Sequence, residues 1–417
     1  MASRKVTRTL VMETKGIVEN RNFRNRLLSI VLVLAGIGIY FGWNFYATQQ
    51  EIDALVQQSI RFESRGRWND LEAAARRWVQ IQPESDDAYF FLGKAIARKG
   101  RLTPATAEES LKSLAFVAPE STRHQEVTEL RIGILFGAAN KPEEAAAEAV
   151  KALKLYPSSG PIRLMYCNFL LMTLNRQQLI DQVHEACRTK SDVPVIYGYL
   201  TVADTAFIKD RTAVLQTWYE ANPQDLTLKD AVLLAGLLEA RVKLVGNISN
   251  ESQKTADEAM ATVNARIAAP PLSSDVVREL LQARIDAGDI SGVSELLQLP
   301  AEGADLDPYH WRARGWYRMM VEEYETAEKD LLQAKKLFPM SWKTHNELAA
   351  LYRRTGRLPE AAKMQSIADQ GRQLDGRIRE LDKISDLDRS FLGLLLKYAD
   401  ECGDETVVEA LEKRLDK

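Results

Sequence analysis

The sequence predicts an all-α chain: a single N-terminal transmembrane helix followed by an α-solenoid of repeated helix pairs. Three observations lead to this reading. Only 14 of the 417 residues are proline and 22 are glycine, too few for the turns of a β-sandwich and enough for helices with short connections. Apolar residues make up 46% and charged residues 27%, which excludes a disordered chain. Small residues also recur at long spacing, with Gly315 and Ala349 separated by 34 positions and Ala327 and Ala361 by the same 34.

The first element is a basic tail. Residues 1–26 carry seven basic and two acidic side chains, a net +5, so a chain of net charge −3 has −8 on the remainder. A global field for gripping nucleic acid is absent, and no nucleic-acid partner is expected. No charged residue lies between Arg26 and Glu51, and 27–47 reads LLSIVLVLAGIGIYFGWNFYA. As a helix rising about 1.5 Å per residue, this run is roughly as long as a bilayer core is thick. Tyr40, Trp43 and Tyr46 crowd its far end and Arg24 and Arg26 its near end, so the expectation is a membrane span with 1–26 cytoplasmic. A cleaved signal peptide fits less well, because Asn44 stands where a small residue would precede cleavage after Ala47. Gly38 and Gly42 have the spacing that lets two membrane helices pair, which would make a homo-oligomer.

Beyond the span the chain repeats. Units are read at 52–83 (Gly66, Pro83), 86–119 (Tyr89, Leu92, Gly93, Gly100, Ala105, Pro119, with a two-residue insertion) and 126–157 (Ile132, Gly133, Phe136, Ala145, Ala152, Pro157). Two later units are 308–339 (Trp311, Gly315, Ala327, Ala334, Pro339) and 342–368 (Leu348, Ala349, Tyr352, Gly356, Ala361, Ala368). Small positions let the two helices of a unit approach, and large ones fill the gap to the next unit. This pattern resembles the tetratricopeptide repeat. The middle, 158–302, is read as degenerate helix pairs, with helices at about 229–245, 252–268, 274–287 and 290–298. A joint is read at 303–308, and 369–417 is assigned to capping helices, the last pair at about 388–401 and 404–415.

The search for chemistry yields little. His184 and Glu185 lack a second histidine four positions on, and Cys167 and Cys187 have no metal-ligand spacing, so a packing role is expected for His184. In an oxidising compartment Cys167 and Cys187 could pair, leaving Cys402 free. No catalytic constellation, metal site or cofactor is expected.

The resemblance implies a concave groove lined by the first helix of each unit. Carried onto this sequence, the groove residues are Tyr309, Arg312, Trp316 and Met319, then Lys343, Asn346, Arg353 and Arg354, with Phe90, Lys94 and Arg98 as a second patch. The clamp by which some members hold a chaperone C-terminus needs lysine and asparagine where Arg312 and Trp316 stand, so that ligand is not implied. The expected function is a non-catalytic scaffold that binds partner proteins in an envelope assembly, secretion or maturation complex. It would be tethered to a bacterial inner membrane with the repeats periplasmic. A regulatory subunit of a membrane enzyme or of a polysaccharide-export complex, or an organellar receptor, is the alternative.

Overall fold

The computed structural model describes residues 3–205, 211–246, 250–267, 274–299, 303–381 and 387–416; the side chains of 3–27, 29, 31, 241–246, 250, 252, 253 and 267 are not among those described. Among the described residues there are twenty helices and no strand. The chain divides into two compact units, Met1–His124 and Gln125–Lys417.

The first unit holds α1 (Ser3–Ser64), α2 (Trp68–Ile81), α3 (Asp86–Arg98) and α4 (Pro104–Leu114). Gly66, at φ +64°, ends the first helix in the left-handed conformation that a Cβ would penalise. Ser85 caps α3 by accepting from the Ala88 N–H, and Thr103 with Thr106 forms a capping box before α4. The buried faces meet through Leu71, Ala75, Trp78, Phe91, Ile96 and Leu114. Gly93 is where α3 and α4 touch most closely: a Cβ there would lie 2.6 Å from Leu114 Cγ. Ser110 sits beneath it and donates to the Gly93 carbonyl at 2.7 Å. Ala105, read as the small residue of this helix, is exposed instead, because the insertion before it is longer than two residues.

Along α1, every described side chain from Leu28 to Gln50 is exposed, among them Trp43 at 72% and Phe45 at 74%. Among the described residues, no helix is long and apolar enough to cross a membrane. The span expected over 27–47 is not upheld there; the side chains of 27, 29 and 31 belong to it and lie outside the described residues. The basic tail 1–26 likewise has no described side chains. Around Gly38 and Gly42 an added Cβ would meet nothing within 4 Å, so these glycines face open space rather than a packed neighbour.

The second unit runs α5 (His124–Phe136), α6 (Pro142–Leu155), α7 (Gly160–Met172), α8 (Arg176–Thr189), α9 (Pro194–Val202), α10 (Arg211–Ala221), α11 (Leu226–Gly246) and α12 (Asn250–Ile267). It continues with α13 (Ser274–Asp286), α14 (Ile290–Leu297), α15 (Pro308–Met320), α16 (Tyr324–Leu337), α17 (Trp342–Arg354), α18 (Leu358–Arg379), α19 (Arg389–Cys402) and α20 (Glu405–Leu415). Helices joined by short connections pack on one another, as in α7–α8, α15–α16 and α17–α18. Gly315 repeats the geometry of Gly93, its added Cβ falling 2.7 Å from Leu331 Cγ and 3.2 Å from the Ala327 carbonyl. The chain passes the region read as a joint without separating, since α15 packs on both α13 and α14.

This unit does not remain an open stack. In a simple solenoid each repeat touches only its neighbours. Here α9 packs on α18 and α8 on α20, so the last helices return to the middle of the chain. The pair read as a terminal cap therefore covers another part of the same unit.

Candidate functional site

The residues expected to line the groove of 308–339 lie on α15, and the structure buries them. Tyr309 is 4% exposed, Arg312 3%, Trp316 7% and Met319 1%. These four do not face an open groove, and α8, α13 and the residue after α9 supply partners to Tyr309 and Arg312. The guanidinium carbons of Arg176 and Arg312 each stand 5.4 Å from the Tyr309 ring centroid and that of Arg278 stands 5.9 Å away, so cations ring the π face. Arg312 donates to Gln282 of α13, and its Nη1 lies 3.8 Å from Asp204, just after α9.

Asp204 is the hub of this polar core. It is 1% exposed and accepts from Ser341 Oγ at 2.9 Å and from the Lys343 backbone N–H at 3.1 Å, which fixes the start of α17. Arg176 donates to Glu279 at 2.7 Å and to the carbonyls of Ala203 and Asp204. Arg278 bridges Asp307, Asp275 and the Leu174 carbonyl. Burying charges in such numbers is costly unless each finds an opposite charge and further hydrogen bonds, which this network gives to Arg176 and Arg278. Burial nonetheless pulls Arg211 down to about 9 and Lys343 down to about 8. Arg176 Nε, Glu279 Oε1, Tyr309 OH and Arg312 Nη1 make no hydrogen bond within the protein. A cavity of about 10 Å³ beside Arg278 and Asp307 is the size of one water.

Sequence reasoning missed Arg176, Asp204 and Glu279. A signal was present for two of them. Arg176 is in phase with Ile180, Val183 and Cys187, and Glu279 with Val276 and Ala283, so each charge stands on the apolar stripe of its helix. Such a charge is buried only if another segment brings a partner, and periodicity does not say which.

On α17 the expected residues divide. Lys343 and Asn346 are half-buried, whereas Arg353 and Arg354 are exposed, Arg353 donating to Gln365 at 3.0 Å and Arg354 lying 3.8 Å from Met320 Sδ. In the first unit Phe90 is fully buried under Lys94 and Arg123, each 4.9 Å from its centroid. Lys94 also pairs with Glu63 at 2.5 Å, and Arg98 is exposed. Of the candidate residues, those left exposed are thus Arg98 in the first unit and Arg353 with Arg354 in the second.

Reactive side chains are held inert. Cys167, Cys187 and Cys402 are free and buried, and burial pushes each thiol up to about 12. His345 is fully buried, with Nε2 bonded to the Pro339 carbonyl, and burial lowers it to about 4. His184 does more than fill space, reaching Asp404 of α20 at 2.8 Å. An open cavity of about 730 Å³ over Gly288–Ser291 and Tyr317 gathers Asp289 and Glu295, and Ser291 Oγ donates to Asp289 Oδ1 there at 3.0 Å.

Residues 69–112 match the model of the tetratricopeptide repeat family. No curated protein sequence matches the chain. Among solved structures, the chain is similar to the Cut9–Hcn1 hetero-tetramer of the APC/C at 12% identity, covering 86% of this chain and 75% of that one with a TM-score of 0.35. It is also similar to the human IFIT1 dimer with PPP-AAAA, at 14% identity over 84% and 94% of the two chains with a TM-score of 0.31. Yeast Tom70 matches at 13% identity over 88% and 77%, with a TM-score of 0.27. Likeness this distant says nothing of partner or pathway. What the chain does carry, at residues 69–112 of an all-helical framework, is a tetratricopeptide repeat.

Proposed function

We propose that this protein is a non-catalytic scaffold that binds partner proteins, tethered to a membrane through 27–47. The observation that supports binding is the exposed arginines on the repeat helices, Arg353 with Arg354 on α17 of the second unit and, taken by itself, Arg98 on α3 of the first. Exposed arginines in a framework of packed helices suit an acidic segment of a partner, through charge-assisted hydrogen bonds. The tether rests on the uncharged stretch between Arg26 and Glu51 and on apolar side chains exposed on all faces of α1 from Leu28 to Tyr46. The basic tail orients it with the N-terminus cytoplasmic and both compact units on the far side, the periplasm in a bacterial envelope.

Two experiments test this reading. Photo-crosslinking from Arg353 and Arg354 captures a partner, while positions on α16 such as Lys329 do not; capture from Lys329 alone rejects the surface. A reporter fused after Lys417 is active only in a non-cytoplasmic compartment, and cytoplasmic activity rejects the topology.

A further inference from the structure

The last helix of the second unit is held at both ends by residues more than two hundred positions away. At its first turn Asp404 caps α20, one carboxylate oxygen accepting from the Val407 N–H at 3.2 Å. The other oxygen lies 2.8 Å from His184 Nε2 on α8. At its last turn Arg414 donates to Asp192 Oδ2 from Nε at 3.0 Å and from Nη2 at 2.8 Å.

The second nitrogen of His184 makes the first of these contacts sensitive to protons. Nδ1 stands 3.1 Å from the Ile180 carbonyl oxygen. A carbonyl and a carboxylate only accept, so both contacts are hydrogen bonds only when both ring nitrogens carry protons. Neutral imidazole has a single N–H and must give up one of them. If Nδ1 keeps the proton Asp404 loses its donor, and if Nε2 keeps it the contact loses its charge; the side chains are 12% and 4% exposed, so little water makes up either loss.

The neighbouring groups do not supply a substitute. On α8, Asp181, Glu185 and Arg188 lie within about one turn of His184, and Arg188 is turned to Glu185. From α7, Arg163 is committed to Ser191, Gln182 and the Pro157 carbonyl, and burial raises Tyr166 above its ordinary value. From α9, Tyr197 donates to Asp192. Besides Asp404, α20 brings Arg414, which Asp192 holds. Cys187 and Cys402 stand at about 12 and keep their protons where imidazole loses its own.

We propose that His184 and Asp404 form a proton-operated clasp. With His184 charged, the first turn of α20 is held on α8. When the ring loses its proton that turn separates, and the Arg414–Asp192 pair retains the last turn.

Hydrogen exchange of the full chain, read on peptides covering 405–415 and 176–189 at pH 5.5 and 8.5 and corrected for intrinsic rates, tests this. Protection at the first turn of α20 is expected to fall about tenfold or more from pH 5.5 to 8.5, with residues 324–337 of α16 unaffected. His184→Gln lowers protection at pH 5.5 to the level of the unmodified protein at pH 8.5 and removes the pH response. Asp404→Asn, which keeps a capping oxygen, removes the response as well. Equal protection of the unmodified protein at the two pH values overturns the clasp, whatever the variants do. So does a His184→Gln protein that responds to pH as the unmodified one does.

Discussion

Two helix pairs of this molecule are built on the same local plan and end in opposite surroundings. In α3–α4 and in α15–α16 a glycine of the first helix sits against a leucine of the second, Gly93 on Leu114 and Gly315 on Leu331. In the first unit the ion pairs around that contact are short-range and partly open, such as Arg76 with Glu72 and Glu109, where Arg76 is 46% exposed. In the second unit the corresponding helix faces Arg176, Glu279 and Asp204, all nearly inaccessible, and Arg176 and Asp204 lie more than a hundred positions away in sequence. The repeat register specifies how two helices approach. Whether the outer face of the pair meets solvent or its own chain is decided elsewhere.

The widest separation between the two regions should come from their ion pairs. Glu279→Ala leaves Arg176 buried without its counter-charge, and a loss of about 3–5 kcal/mol is expected in the urea unfolding of the second unit. A loss below about 1 kcal/mol would mean that water already reaches this core.

Glu143 on α6 sharpens the contrast through pH. Burial, and then the charge of Asp225, raise its carboxyl to about 7, and its Oε1 has no hydrogen-bond partner. The folded value is above the ordinary one of 4.5, so this group's contribution is full below that pH and is lost as pH rises through about 7. Glu143→Gln should therefore gain about 1–3 kcal/mol at pH 8 and little at pH 4, measured by thermal unfolding across pH.

The shared plan is tested by Gly93→Ala and Gly315→Ala. Each places a Cβ under 3 Å from a leucine side chain, and each should cost about 1–3 kcal/mol by overpacking. Unequal losses would show that the two contacts are alike only in outline. Gly133→Ala is the counter-case: its added Cβ would lie 3.7 Å from Met165 Sδ, ordinary contact, and a gain of about 0.5–1 kcal/mol from helix propensity is expected. Arg76→Ala in the first unit should change stability least, by about 0–1 kcal/mol, because its pairs are exposed.

Much of the helical framework could be read from residues alone. Gly315, Ala327 and Pro339 mark a unit because close approach needs small side chains and proline cannot continue a helix. The helices read at about 229–245 and 274–287 lie close to the observed Leu226–Gly246 and Ser274–Asp286, since glycine and proline pairs mark their ends. Ala105 misled because an insertion moves the register, and Ser110 replaces it by bonding the Gly93 carbonyl. The groove was legible only as a list of positions on one helix face. Tyr309 and Arg312 occupy those positions, but what covers them comes from Arg176, Asp204 and Gln282, and no local period records such distant partners.

The return of α20 to α8 bears on how the chain is made. A repeat array can gain structure unit by unit as it leaves the ribosome, because each unit needs only its predecessor. The first unit can follow that course, its ion pairs bridging at most 36 positions. The second cannot complete its core in that way, since Asp192 waits for Arg414, 222 positions later. Its core therefore includes a contact that closes a loop of 222 positions, whose entropic cost is met before the contact stabilises anything.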